Sequence, residues 1–409
     1  MVNLKDKTVR IYGYGLFECF MALRLKRDFG KVELFIPWKA SYPTPLKTQI
    51  GEGLPGVTKI TNFFDGIGDV DLFCFFDVGD GDLQNYLRSK GKRVFGSGKA
   101  EELEYDRVGF KSVLKSVKLP VPEYKVVKGI SELRNELLKN ENLGKWVKIS
   151  TFRGIQETFK NNGIKYIQPK LDSIAFKLGS FREIQEFLIE NNICGKEIGS
   201  DFFLANGEML DYVTVGMENK DKSYSCKVVR KENVPSELKI IDNALNKVYK
   251  KFKYCGMGSS EVRVGMDNKP YFIDFCARAG SPPSELISEI YSNFSEIVWA
   301  VAGGEIVEQK VKSFYGAEIL LKSEMAITDW LPLDFKEENL NVLKLRNLCK
   351  VNGQYYYVPQ DGCSIVGAAI GFGKTEEEAQ KNAIENCKLI DCEAIHYDKD
   401  AFDEVEDLD

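Results

Sequence analysis

The chain has 409 residues, room for about two to four domains at roughly 100–200 residues each. It is 44% hydrophobic and 29% charged, an ordinary globular composition, and carries 56 basic against 61 acidic side chains. The last twelve residues hold seven acids and one lysine, so the body is near neutral, which argues against a nucleic-acid backbone footprint. One histidine, His396, excludes Ser-His-Asp, Cys-His and histidine-based zinc chemistry.

Thr8 to Tyr12 reads as a buried strand, followed by Gly13-Tyr14-Gly15 and a helical apolar spacing from Leu16 to Phe29. Lys31–Ile36, Asp71–Phe76 and Lys92–Phe95 complete a set of strands, with a helix over Leu83–Lys90. Strands alternating with helices predict a parallel α/β sheet over residues 1–100. Gly13-x-Gly15-x-x-Glu18 lacks the third glycine of a dinucleotide fingerprint, leaving a tight turn or a small-ligand contact.

Pro120 and Pro122 break a helical stretch. Short elements follow to Glu190, then antiparallel strands over 199–218 and 224–230. A helix is expected over Pro235–Phe252, and a hairpin of Ser259–Val264 with Pro270–Phe275 turns at Asp267-Asn268-Lys269. Glu285–Ala302 reads as one amphipathic helix. A smaller α+β unit closes with Ser364–Ile370 and Thr375–Ile390. Gly373-Lys374-Thr375 imitates a phosphate loop, but Ala368 stands where its first glycine belongs, and Thr375-x-x-Glu378 is a capping box. The acidic tail, 396–409, is expected to be disordered.

The chemistry concentrates between residues 145 and 285. On a strand, Asp274, Cys276 and Arg278 share one side, and hairpin pairing brings Glu261 beside Asp274. Two such carboxylates share a proton or bind a cation, and oxygen-only ligands suit Mg²⁺. Lys148, between apolar neighbours, either snorkels or meets a phosphate. Glu190 to Ile193 followed by Glu197 can offer backbone groups to a purine edge and an acid to ribose hydroxyls.

This order of motifs resembles the ATP-grasp superfamily and, within it, the glycinamide ribonucleotide synthetases (phosphoribosylamine–glycine ligases), over residues 8–392. The carriers are Val94–Lys111, Leu119–Tyr124, Trp146–Lys148, Glu190–Glu197, Ile273–Pro282, and Ser364–Gly367 with Thr375–Ala379. The resemblance implies an α/β ATP-grasp fold with an N-terminal Rossmann-like pre-ATP-grasp domain (1–100). It also implies an ATP-grasp domain (101–310, small lid about 120–195) and a C-terminal α+β domain (311–395).

The resemblance further implies ATP and Mg²⁺, with Mn²⁺ as a substitute, and an acylphosphate route joining an amino acid such as glycine to a nucleotide-like or sugar-phosphate amine. Arg107, Lys148, Lys227 and Arg230 would hold phosphate. Glu190, Asn191, Ile193 and Glu197 would hold adenosine, and Glu261 and Asp274 the metal. Arg278 and Lys148 would be catalytic. Gly13, Gly15, Asp77, Arg278 and Ser281 would face the other substrates.

The chain departs from the pattern in several places. Arg107 replaces a lysine, Ser150–Gly154 replaces a glycine-rich flap, Cys276 replaces a metal-binding asparagine, and Gly280-Ser281-Pro282-Pro283 replaces an acidic loop. The alternative is therefore a catalytically degenerate ATP-binding scaffold. The scattered cysteines, the absence of a signal-like start and the lack of an apolar run of ~20 residues predict a cytoplasmic protein, monomeric or homodimeric, with no membrane or direct nucleic-acid contact.

Overall fold

The computed structural model describes residues 2–37, 50–151, 158–360 and 362–403. Short runs rich in apolar residues form the first sheet: β1 (Thr8–Tyr12), β2 (Lys31–Phe35), β3 (Val57–Ile60), β4 (Leu72–Phe75) and β5 (Arg93–Phe95). All are parallel, in the order β3-β2-β1-β4-β5. The order reverses at β1 and β4, so ligands of such sheets gather beyond the carboxyl ends of these two strands. The helix Glu18–Lys26 is buried nearly all round, which suits its place between this sheet and the helices of residues 284–302.

A four-stranded antiparallel sheet follows, made of β6 (Tyr124–Lys128), β7 (Trp146–Ile149), β8 (Thr158–Lys160) and β9 (Glu186–Glu190), in the order β6-β9-β7-β8. The helices Ile130–Leu137 and Ile164–Leu178 close its own small core around Leu133, Leu171, Ile174 and Phe187.

The third unit is a nine-stranded antiparallel sheet. Its strands are β10 (Gly195–Ala205), β11 (Glu208–Met209), β12 (Tyr212–Asn219), β13 (Ser223–Arg230), β14 (Gly256–Gly265) and β15 (Pro270–Cys276), continued by β16 (Tyr315–Lys322), β18 (Leu343–Leu345) and β21 (Ile365–Gly373). The order is β15-β14-β10-β12-β13-β16-β21-β18, with β11 on β10. Asn206 and Gly207, both at positive φ, turn β10 into β11, the preference of a two-residue hairpin turn. A small sheet of β17 (Leu331–Leu333), β19 (Leu348–Val351) and β20 (Gln354–Tyr357) lies to one side. The C-terminal unit thus extends the central sheet through the pairing of β13 with β16.

Two expectations are corrected. Residues 285–302 form two helices, Ser284–Ile290 and Phe294–Ala302, buried on nearly every side, because they fill the space between two sheets and have almost no solvent face. Residues 396–403 of the tail fold against the body, and residues 404–409 lie outside the described residues. Lys322 bridges to His396, and Ala401 is fully buried with its carbonyl accepting from Asn219 Nδ2 (2.9 Å) and Ser223 Oγ (2.6 Å). Ile395, Tyr397 and Phe402 pack against the main core and supply the apolar contact that acidic composition alone conceals.

Candidate active site between the small sheet and the central sheet

The hairpin β14–β15 pairs Glu261 with Asp274 in direct register, so both carboxylates emerge on one face of the central sheet. Phe275 points the other way, against Phe110 and Tyr249. Lys148, on β7, crosses from the small sheet. Its ammonium donates to Ile273 O (2.8 Å) and lies 3.3 Å from Glu190 and 3.9 Å from Asp274. Arg107 and Lys111 stand four residues apart on the helix Arg107–Ser116, and so on one side of it. Arg107 donates to Ile149 O (2.9 Å) and approaches Asp274 (4.0 Å), and Lys111 pairs with Glu190. A void of about 20 Å³ lies among Arg107, Lys111, Lys148 and Asp274.

The charges perturb one another. Burial works against the Lys148 ammonium, but Asp274 and Glu190 more than offset it and hold its pKa above the usual lysine value. For Lys111 burial wins, and its pKa falls despite Glu190. Burial would also raise Glu190 and Asp274, yet the neighbouring cations bring both below the usual carboxylate range. Glu261 is the contrast. Burial first, then Asp274, Glu197 and Glu218, push its carboxyl up to about 8. Glu197, Glu218 and Glu261 border a second void of about 30 Å³. Among the described residues no group of three or more histidine, cysteine or acidic side chains is arranged to hold a metal ion. Glu261 and Asp274 do fit a cation that takes its remaining ligands from phosphate oxygens, since such an ion would relieve the repulsion that raises Glu261.

The other expected residues are placed as follows. The Asn191 backbone N–H donates to Glu123 O (2.9 Å) and its side chain to Glu123 Oε2 (3.1 Å). Ile193 O accepts from Arg263 Nη1 (3.3 Å), and Arg263 also pairs with Glu197. The polar groups expected to meet adenosine are therefore engaged within the chain. Arg278, just beyond the end of β15, is clasped by Glu104 (3.0 Å) and Asp77 (3.5 Å). Ser281 Oγ accepts from Arg346 (2.8 Å), which Glu285 also holds.

Lys227 and Arg230 are not brought to this site. In register, Cys226 stands in the row of Gly216, Gly199 and Glu261, so Lys227 faces the opposite side, over the Tyr315 ring. Arg230, at the far end of β13, stacks over Tyr212. Of the altered flap, residues 152–154 lie outside the described residues.

Gly13 and Gly15 form the turn after β1. The carboxyl of Glu18 folds into it, accepting from Gly15 N (2.8 Å) and Phe17 N (3.2 Å), and a Cβ on Gly13 would fall 1.9 Å from Glu18 Oε1. Sequence reasoning assigned no role to Lys111, Glu104, Glu18 or Arg346. The four-residue spacing of Arg107 and Lys111 was the signal available for the first. A larger cavity, about 480 Å³, lies elsewhere on the first sheet, beside Arg10, Lys31 and Glu33. There Glu33 accepts from Arg10 (2.7 Å) and pairs with Lys31 (2.7 Å), so these charges satisfy one another.

The chain matches no protein-family model and no curated protein sequence. Solved structures do match over nearly its whole length. Phosphoribosylamine–glycine ligase from Thermotoga maritima gives a TM-score of 0.69 at 16% identity, covering 95% of this chain and 98% of that one. The biotin carboxylase domain of Hydrogenobacter thermophilus 2-oxoglutarate carboxylase, solved with MgADP, ADP and bicarbonate, gives 0.66 at 12% identity over 95% and 91%. N5-carboxyaminoimidazole ribonucleotide synthetase from Thermotoga maritima gives 0.62 at 17% identity over 96% and 100%. The fold of this chain is the ATP-grasp fold. Among these structures it resembles a phosphoribosylamine–glycine ligase, as the sequence motifs suggest. Among the described residues no helix is long and apolar enough to cross a membrane.

Proposed function

We propose that the protein is an ATP-dependent carboxylate–amine ligase that forms an amide through an acylphosphate. The observation that carries this reading is the convergence of Arg107, Lys111 and Lys148 on Asp274 and Glu190, with Glu261 paired beside Asp274 on the same face of the sheet. Cations beside paired carboxylates suit a triphosphate and its magnesium ion. Lys148 and Arg107 would take the phosphates. Glu261 and Asp274 would hold Mg²⁺, or Mn²⁺ in its place, and the ion when bound neutralises the phosphate charge. The adenosine falls to the 190–197 connection and the reacting carboxylate to Arg278.

A carboxylate oxygen attacks the γ-phosphorus as the bond to the β–γ bridging oxygen breaks, and ADP leaves with that electron pair. The amine nitrogen then adds to the acyl carbon, inorganic phosphate departs, and the nitrogen gives up a proton to solvent. No step needs a histidine. An amino acid such as glycine fits the carboxylate role. The free thiols suit a reducing cytoplasm.

The test is ADP release across a panel of amino acids and amines, with mass spectrometry of the products. Release that requires both substrates, falls at least 100-fold in Asp274→Asn and persists in the surface variant Lys336→Ala supports the reading. A second reading, an ATP-binding scaffold without turnover, is favoured by Cys276, a poor magnesium ligand standing where the family pattern has a metal-binding asparagine. Tight ATP binding with no release against any pair would select it.

A further inference from the structure

The two turns at the reversal point of the first sheet, beyond β1 and β4, are built from backbone N–H groups that would ordinarily receive an anion. Both are already filled by carboxylates of the chain. Glu18 takes Gly15 N and Phe17 N, and Glu101 takes Gly79 N (2.8 Å) and Gly81 N (3.0 Å). Asp80 adds a further acid, accepting from Tyr14 Oη (3.0 Å). The adjoining cation, Arg278, is held by Glu104 and Asp77.

Two buried oxygens at the first turn accept no hydrogen bond from the described residues: Glu18 Oε1 and Asn347 Oδ1. Both side chains belong to fully buried residues. They flank the same glycines, since a Cβ on Gly15 would fall 2.5 Å from Asn347 Oδ1. The turn thus offers acceptors where a phosphate needs donors. A phosphate entering it would meet a like charge and displace an internal carboxylate. A neutral or cationic group would supply the missing donors.

Resting on the ligase reading above, we propose that the amine substrate at this reversal point carries no phosphate toward the Gly13–Phe17 turn. It belongs to the class of amino acids, amino alcohols, amino sugars or diamines, and Glu18 is the residue that sets this specificity. The expected sugar-phosphate amine is thereby replaced by an unphosphorylated one.

The test is calorimetric titration of the full chain, without nucleotide, using two matched pairs: ethanolamine against O-phosphoethanolamine, and glucosamine against glucosamine 6-phosphate. The unphosphorylated member is expected to bind at least tenfold more tightly in each pair. Glu18→Ala vacates the Gly15 and Phe17 N–H groups, so it should weaken the unphosphorylated members and strengthen the phosphorylated ones, a crossing that mere loss of packing does not produce. If that variant does not fold, Glu18→Gln keeps one acceptor oxygen and makes the same comparison at smaller amplitude. Equal or tighter binding of the phosphorylated members overturns the inference. So does binding by neither member, or a preference untouched by both variants. The preference together with no ADP release from any substrate pair sustains the inference and counts against the ligase reading instead.

Discussion

Replacing Lys148 by methionine keeps the stem and deletes the charge that ties the small sheet to the central one. At 3.3 Å from Glu190 and 3.9 Å from Asp274, its gross attractions are about 5 and about 4 kcal/mol at an effective permittivity of ~20. Most of this is offset by the water the three groups gave up on burial, and breaking a buried pair is observed to cost about 3–5 kcal/mol. Glu190 keeps Lys111 and Asp274 keeps Arg107, so the lower end applies, about 3 kcal/mol. Amides of β7 and β9, which exchange by opening of the small sheet, should then exchange about 150-fold faster, at 1.36 kcal/mol per decade. Hydrogen exchange read by mass spectrometry over residues 146–149 and 186–190 measures this directly. Because Lys148 and Glu190 are in contact, Lys148→Met and Glu190→Gln should together cost about 1–2 kcal/mol less than the sum of their separate costs. Exchange altered less than threefold, or strict additivity, would refute the reasoning.

Burial, with Asp77 nearby, raises the Glu18 carboxyl from 4.5 to about 7. The folded protein holds this proton more tightly than the unfolded chain, so the contribution favours folding below about pH 4.5 and is lost as pH rises through 7, at most about 3 kcal/mol. Melting temperatures of Glu18→Gln and the wild type should therefore diverge in favour of the variant between pH 5 and 8, and parallel curves would contradict this. A Cβ at Gly371 would lie 2.2 Å from Ala383 N and 2.3 Å from Ala379 O, both backbone atoms of the helix Glu376–Cys387. Gly371→Ala should cost about 2–3 kcal/mol and lower the melting temperature by several degrees; an unchanged transition would show that the helix yields.

The parts of this fold that local chemistry dictates were legible. β1, β4 and β5 are short apolar runs followed within two residues by glycine or aspartate. The Asp267–Lys269 turn closes the hairpin as read, but its own register would set Ile273 opposite Glu261, and a bulge between Glu261 and Val262 brings Asp274 there instead. Thr375 caps its helix as read, accepting from Glu378 N (3.3 Å). What escaped depends on contacts distant in sequence. β13 and β16 pair across an intervening stretch that includes three α-helices and two strands, so the sharing of one sheet by two units has no local mark. The break within 285–302 was hidden because a helix buried all round shows no polar stripe. The inward turn of Glu18 depends on the burial of its helix. Lys227 is different, because alternation from Cys226 already placed it on the other side of the strand.

Lys148 bridges the small sheet to Ile273 O of the central sheet, while Arg107 to Ile149 O and Lys111 to Glu190 tie the helix Arg107–Ser116 to the small sheet. The cleft is thus pre-filled by its own counter-ions. An incoming polyanion competes with resident carboxylates for the same cations, and its measured affinity is a difference between two sets of contacts. On the ligase reading, a triphosphate would enter by exchange, at a rate set by how often these internal bridges open.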